Sequence, residues 1–108
     1  MKEVREEDCE MTLREKFDLM CDALSVSPEA ILSREITRDI SIRRNCIIHQ
    51  LYDYRLDGLP ELLDRTRALI VIAHRKFKNQ LEVNDPLAIE YKRLIDERLE
   101  RYLNGEEE

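Results

Sequence analysis

Helix-start signals divide the chain into four segments, and this division constrains the fold more than any other feature. Thr12 and Glu15 form a capping-box pattern, in which two side chains satisfy the first free N–H groups of a helix. Three later starts carry Pro in the first helical turn, where its missing N–H removes no hydrogen bond. These starts are Ser27-Pro28, Pro60 and Asp85-Pro86. Apolar residues recur at helical spacing after each signal and predict helices over 12–24, 28–54, 60–81 and 86–103.

Composition indicates a single helical domain. The chain has 108 residues, enough for one modest core, with only two Gly and three Pro. Its hydrophobic share of 43% and charged share of 39% are typical of a compact helical chain rather than a disordered one. We therefore predict one all-α domain over residues 1–108, a small up-and-down four-helix bundle with a frayed N-terminus over 1–11 and an acidic tail over 104–108.

Two of the four segments have features that a simple bundle helix lacks. The second segment allows two interpretations, an unbroken helix over 28–54 or a break near Ser33 or Ser41. The third has a broad apolar face to which Val71 and Ile72 add, as in a helix packed between several neighbours or across a subunit interface. The residues predicted to point inward on the third segment are Leu62, Leu63, Thr66, Leu69, Ile70, Ala73 and Phe77.

The apolar stripe of the second segment contains two arginines. Arg43 and Arg44 lie on the side of this helix where a core position usually holds Leu or Ile. A buried guanidinium persists only where an anion, a carboxylate or a partner subunit meets it, so the stripe points to function. For Arg43, an i,i+4 ion pair with Asp39 is the favoured interpretation. The apolar members of the stripe are Ile36, Ile40, Ile47 and Leu51.

Charge is distributed unevenly along the chain. The formal net charge is −6, which argues against a surface devoted to nucleic acid. Between Arg34 and Lys78, however, ten Lys or Arg stand against six Asp or Glu, a balance of +4 that leaves −10 for the remainder. The sequence therefore predicts a locally basic centre between acidic ends, although solvated helix faces explain the same count.

Several classes of site have no support in the sequence. Cys9, Cys21 and Cys46 are odd in number and lack C-x-x-C spacing, so we expect free thiols in a reducing cytoplasm. No signal-peptide pattern occurs, and the longest apolar run, Ala68 to Ala73, is far too short to span a membrane. Metal-ligand spacing and a Gly-rich phosphate loop are both missing, so we expect no metal and no cofactor.

The centre of the second helix carries a recognisable motif. It reads Arg44-Asn45-Cys46-Ile47-Ile48-His49, an Arg followed by a polar residue and, after three variable residues, a His. This pattern, in an Ile-rich helix of a small helical protein, resembles the HEPN superfamily (higher eukaryotes and prokaryotes nucleotide-binding domain). The resemblance implies a dimer whose two motifs face each other, and in many members a metal-independent ribonuclease. We predict a homodimer, or a heterodimer with a similar bundle, formed largely by the helix that carries Ile40, Arg44, Ile47 and Leu51.

The motif residues fit that chemistry. Cleaving RNA without a metal needs a base for the 2′-hydroxyl, an acid for the leaving oxygen and a cation on the phosphorane. His49 titrates near neutrality, Arg44 offers a permanent planar cation, and Asn45 orients the phosphate. Residues five apart on a straight helix point about 140° away from each other. Arg44 and His49 therefore form one site only if two-fold symmetry brings them together from different subunits.

Other interpretations stay open. His49 on an apolar helix is also typical of a core histidine, and His74, beside several basic residues, fits either an RNA contact or an ordinary surface position. Members of the superfamily paired with nucleotidyltransferase antitoxins place Tyr two residues after the motif His, whereas Tyr52 stands three after it. Two functions stay open. The first is a ribonuclease of a toxin or defence system, acting on RNA and restrained by an antitoxin or regulatory protein. The second is a non-catalytic helical dimer that acts as an adaptor or regulator through protein interaction.

Overall fold

The computed structural model of the chain describes residues 12–54 and 57–105, and those residues contain helices and no strand. The all-α prediction is confirmed for this part of the chain. The predicted frayed segment, Cys9 and the end of the acidic tail at 106–108 lie outside it. None of the described helices is long and apolar enough to cross a membrane. The helices are α1 Leu13–Ala23, α2 Pro28–Leu32, α3 Arg38–Tyr54, α4 Leu59–Leu63, α5 Arg67–Glu82 and α6 Pro86–Leu103.

Six helical segments therefore stand in the described residues where four were predicted, because two predicted helices are broken. The first break is at Ser33, one of the two positions where the sequence allowed it. The Ser33 hydroxyl donates to the carbonyl of Ala30 at 2.7 Å and accepts from the Glu35 amide at 3.1 Å. Its side chain thus replaces helical hydrogen bonds with local ones. Ile36, predicted to face the core, instead lies between α2 and α3 and is 83% exposed.

The second break separates α4 from α5 and was not predicted. Asp64 takes the left-handed conformation at φ 55°, which ends α4. Thr66, predicted to point inward, is instead the N-cap of α5 and accepts from the Leu69 amide at 3.2 Å. Leu69, in the first turn of α5, is 49% exposed, so its predicted inward position is wrong. Ile70 and Phe77 are buried as predicted.

Local cap signals are confirmed elsewhere. Thr12 and Glu15 form both hydrogen bonds of the capping box that starts α1. Ser27 caps α2 through the Ala30 amide, with Pro28 in the first turn. Asp85 caps α6, and its carboxylate accepts from the Leu87 and Ala88 amides. These starts depend only on neighbouring residues, which explains why sequence alone locates them.

Helix α3 is the central element of the fold. It packs against α1, α2, α5 and α6, and its contact with α5 is the most extensive. Ile47 and Leu51 are fully buried inside the chain, so these two residues of the helix predicted to form most of the dimer belong to the core, as their stripe predicts, and not to a surface that a partner subunit can reach. The largest fully buried side chains of the core are Phe17, Phe77, Met20, Ile31, Ile47, Ile48, Leu51, Leu59, Leu63, Ile70 and Ile95.

Candidate functional site: two hollows between α3 and α5

The motif side chains line two separate hollows, each between α3 and α5. We call the first the Arg44 hollow. It measures about 290 Å³, and its polar and charged lining comes from Ser41, Arg44, Asn45, Arg65 and Lys76. The second, the His49 hollow, measures about 430 Å³ and is lined by His49, Asp53, His74, Lys78, Leu81 and Glu82. The structure of one chain thus does not bring Arg44 and His49 together, as expected from their spacing on one helix.

Arg44 is held by backbone carbonyls at the end of α2. Its Nε donates to the carbonyl of Ile31 at 2.7 Å, and its Nη2 donates to those of Ala30 and Ser33, each at 3.2 Å. The last carbonyls of a helix have no partner within it, and a cation there also opposes the negative end of the helix dipole. Arg44 is only 8% exposed. These contacts explain how a guanidinium is tolerated in an apolar stripe.

A second arginine joins this arrangement. Arg65 donates from Nη2 to the Ser33 carbonyl at 2.7 Å and from Nη1 to the Leu63 carbonyl at 2.9 Å. Burial lowers the pKa of Arg44, and the positive charge of Arg65 lowers it further. Both groups stay cationic because a free guanidinium titrates far above neutrality. The Arg44 hollow therefore has two arginines and Lys76 in its lining and no carboxylate.

Arg43 has a separate explanation. Its Nη1 lies 3.4 Å from a carboxylate oxygen of Asp39, one turn earlier on α3, and this confirms the predicted ion pair. The other oxygen of Asp39 accepts from the Tyr91 hydroxyl at 2.6 Å. Arg43 also lies over the Tyr91 ring at 5.1 Å from its centroid. The side chain thus ties α3 to α6 and takes no part in either hollow.

His49 pairs with the chain's other histidine. The Nδ1 atoms of His49 and His74 are 3.2 Å apart, within hydrogen-bond distance. The two rings are nearly parallel, at 17°, with centroids 4.8 Å apart. Since the nitrogens are much closer than the centroids, the rings meet at their Nδ1 edges. His49 is therefore half-buried beside an open hollow and hydrogen-bonded to a titratable group, unlike a histidine enclosed in an apolar core.

Aromatic rings hold this pair in place. Tyr52, one turn after His49 on α3, stacks on His74 with centroids 4.0 Å apart and planes at 11°. Phe77, one turn after His74 on α5, lies against His49 at 5.3 Å. Aromatic contacts of this kind restrict ring rotation and displace water from the ring faces. The two imidazoles are thus oriented by each other and by one further ring from each of α3 and α5.

The electrostatic surroundings favour a neutral imidazole at His49. Burial is the main cause that lowers the pKa of His49, and the positive form of His74 adds to it. Asp53 opposes this effect, whereas Lys92 on α6 reinforces it. A neutral ring has a lone pair on one nitrogen and a proton on the other, so it can accept a proton and also donate one.

Asn45 lies near the cationic hollow rather than the histidines. It lines the Arg44 hollow, and it also lines a neighbouring hollow with Arg38, Lys76 and Asn79. The three variable positions of the motif, Cys46, Ile47 and Ile48, are core residues. Burial raises the pKa of the Cys46 thiol, which keeps it protonated and unreactive.

Three residues that line or contact these hollows are not identified as site residues by the sequence. The sequence leaves His74 as either an RNA contact or an ordinary surface residue, gives Tyr52 only a spacing from the motif His, and includes Arg65 only among the ten basic residues between Arg34 and Lys78. Tyr52 shares the i,i+3 face of His49, which is a usable signal for contact on one helix. The approach of His74 and Arg65 depends on how α5 packs on α3, and no local spacing encodes that.

Neither possible metal ligands nor similarity to known proteins indicates a function for these hollows. Within residues 12–54 and 57–105, no group of three or more His, Cys, Asp and Glu side chains is close enough to hold a metal ion. Comparison of the chain with protein-family models, with curated proteins and with solved structures finds no match.

Proposed function

We propose that the chain is a HEPN-like, metal-independent endoribonuclease that acts as a homodimer. The observation that carries this proposal is the placement of His49, oriented by other rings at the edge of an open hollow in a form suited to proton transfer. A buried core histidine needs neither a hollow nor a second titratable ring. In this proposal α1, α3, α5 and α6 form the up-and-down bundle, and α2 and α4 are single-turn additions.

The reaction is transesterification of RNA. The 2′-oxygen attacks phosphorus as His49 removes its proton, the bond from phosphorus to the 5′-oxygen breaks, and that oxygen takes a proton from an acid. The products are a 2′,3′-cyclic phosphate and a 5′-hydroxyl. Arg44 and Asn45 contact the phosphate, where fixed charge and hydrogen-bond donors stabilise the phosphorane. Lys78, which lines the His49 hollow, attracts the RNA backbone.

The proposal needs two chains because Arg44 and His49 line different hollows. Beside Arg44, the exposed apolar side chains of Leu69 and Ile72 line the same hollow, together with Ile36. Large apolar side chains grouped at a surface are typical of an interface between proteins. In the proposed dimer this surface faces the partner and carries the Arg44 hollow toward the partner's histidine pair.

Three hydrogen bonds from Nε and Nη2 of Arg44 already go to backbone carbonyls. None of the hydrogen bonds described for Arg44 in residues 12–54 and 57–105 involves Nη1, so this nitrogen and the overall positive charge are what it offers to RNA. Arg65 and Lys76 supply further charge in the same hollow. We therefore assign Arg44 two roles, which are fixing α2 against α3 and contacting the phosphate.

Cleavage in the presence of EDTA tests the function. Purified chain is incubated with a single-stranded RNA of mixed sequence, and the product ends are identified by mass spectrometry. We expect 2′,3′-cyclic phosphate ends and a loss of about two orders of magnitude in rate for His49→Gln. Ile89→Gln is the control because Ile89 is exposed on α6 and lines neither the Arg44 hollow nor the His49 hollow. Absence of cleavage, or equal rates for parent and His49→Gln, contradicts the proposal.

A non-catalytic adaptor is the second candidate, and a separate observation favours it. The guanidinium of Arg44 is satisfied by carbonyls, and the exposed apolar side chains of Ile36, Leu69 and Ile72 surround it. This surface suits the binding of a partner protein and requires no catalytic step. Growth on expression distinguishes the two candidates, since a toxic ribonuclease arrests growth and His49→Gln relieves the arrest. In the same proposal, a cognate antitoxin or regulatory protein restrains the enzyme by covering a hollow.

A further inference from the structure

We infer that His74 is a second catalytic residue and that it exchanges a proton with His49 through their Nδ1 atoms, so that the pair acts as both base and acid. This inference rests on the proposed ribonuclease activity and deepens it. A single histidine removes one proton but leaves the acid for the departing oxygen unassigned. The paired ring at 3.2 Å is a group of the right chemistry next to the base.

The hydrogen bond determines what the pair offers to a substrate. Only one proton fits between two nitrogens 3.2 Å apart, so one ring carries it on Nδ1 and the other accepts it. In the neutral pair, the donor ring has its lone pair on Nε2 and the accepting ring has its second proton on Nε2. A neutral pair therefore presents one base and one acid, with no net charge.

The proton balance of the reaction closes within the pair. The Nε2 of the donor ring takes the proton of the 2′-hydroxyl, and the Nδ1 proton of that ring passes to the Nδ1 of the other ring. The second ring then releases its Nε2 proton to the 5′-oxygen as the bond to phosphorus breaks. After one turnover the pair is again neutral but the two rings have exchanged tautomers, and proton exchange with water at the two Nε2 atoms restores the starting tautomers before the next turnover.

The environment keeps this arrangement in place. Tyr52 stacks on His74 at 4.0 Å, and Phe77 contacts His49 at 5.3 Å, which holds the Nδ1 edges together. If both rings were cationic, their Nδ1–H groups would point at each other. The pair therefore resists taking up two protons beyond its neutral form. The charged groups that face it come from three helices: Asp53 on α3, Lys78 and Glu82 on α5, and Lys92 on α6.

A relay and two independent histidines differ in their pH profiles. An independent base and acid give a bell-shaped profile, because one must be neutral while the other is protonated. The relay works in the neutral pair, so its rate rises as the pair loses its extra proton and then stays level at higher pH. We expect this plateau for the parent in EDTA, and a bell with two limbs near the histidine range contradicts the relay.

Substitution at His74 separates the relay from the ribonuclease proposal. His74→Asn places an amide where Nδ1 was, which keeps a hydrogen bond to His49 but cannot pass a proton on. We expect a rate at least about 100-fold below the parent, and Arg75→Gln, on the exposed side of the same helix, serves as the matched control. A parent that cleaves RNA and a His74→Asn variant that cleaves equally well overturn the relay alone. A parent that cleaves no RNA overturns both.

A spectroscopic test needs no turnover and no variant. Two-bond nitrogen–proton correlation spectra of the 15N-labelled parent report the tautomer of each imidazole. At a pH where the pair is neutral, we expect one ring protonated on Nδ1 and the other on Nε2, or averaged signals of equal nitrogens if exchange is fast. If both rings carry their protons on Nε2 without exchange, no proton lies between them and the relay is excluded.

Discussion

At the scale of single residues, Arg44 shows how one side chain serves the fold and is available for function. A permanent charge in an apolar stripe suggests a ligand when only the sequence is known. The structure gives it three carbonyl partners at the end of a five-residue helix, α2, which has little stability of its own. Removing the guanidinium takes the Nε donor away from the buried Ile31 carbonyl, whereas the carbonyls of Ala30 and Ser33 keep donors in the side chains of Ser33 and Arg65. A buried carbonyl that loses its donor is destabilising.

We expect Arg44→Gln to lower the free energy of unfolding by about 1–3 kcal/mol, measured by urea denaturation. Arg43→Gln is the matched control, because its ion pair with a half-exposed Asp39 carboxylate and its contact with the Tyr91 ring are each expected to contribute only about 0.5 kcal/mol. Similar unfolding midpoints for the two variants would show that the carbonyl contacts of Arg44 contribute little.

His49 gives the stability of the protein a pH dependence. Burial lowers the pKa of His49 below its ordinary value, so the unfolded chain binds this proton more readily than the folded one. Its contribution to stability is therefore complete above the unfolded pKa of about 6.5 and is lost as the pH falls below it. We expect parent stability to drop between about pH 7.5 and pH 5.5, and to drop less for His49→Gln. An equal drop for both contradicts the assignment.

At the scale of elements, local signals and distant contacts differ in how far sequence reveals them. The caps at Thr12, Ser27 and Asp85 follow from neighbouring residues and were predicted correctly. The sequence allowed a break at Ser33 or at Ser41, because a serine hydroxyl can replace helical hydrogen bonds but does not do so at every position. Asp64 ends α4 and Thr66 begins α5. The apolar pattern continues through both helices, so periodicity alone does not reveal the break between them.

The start of α5 tests this account of the second break. Thr66→Ala removes the side-chain acceptor for the Leu69 amide, and we expect it to cost about 1 kcal/mol of stability in urea denaturation. Thr66→Ser keeps the hydroxyl and should stay close to the parent. If α5 instead continued from α4 as one helix, Thr66 would be an interior residue and Ala would stabilise it.

At the scale of the whole molecule, the position of the motif within α3 was predictable but its surroundings were not. Periodicity identified α3 as a core helix, and the 140° argument correctly kept Arg44 and His49 apart within one chain. His74 and Arg65 reach these hollows only through the packing of α5 on α3. The proposed interface differs from the predicted one, since Ile47 and Leu51 belong to the core, whereas Leu69 and Ile72 are exposed beside the Arg44 hollow.

The proposed dimer surface is tested by a matched pair of variants. Ile72, beside the Arg44 hollow, is 48% exposed, and Ile89, on α6, is 44% exposed. We expect Ile72→Glu to yield a folded monomer in sedimentation equilibrium, because a carboxylate at a buried interface is strongly unfavourable. Ile89→Glu should leave the dimer intact. A parent that is monomeric at micromolar concentration, or an Ile72→Glu dimer, contradicts this interface.

Complementation between two variants tests most directly the central claim that two chains build one ribonuclease site. Arg44→Gln and His49→Gln are each expected to cleave RNA poorly, and the two are then mixed in equal amounts and allowed to exchange subunits. Half of the dimers become mixed, and each mixed dimer has one of its two sites intact, so the account predicts recovery of about one quarter of the parent rate. A mixture no more active than the two variants measured separately would contradict it.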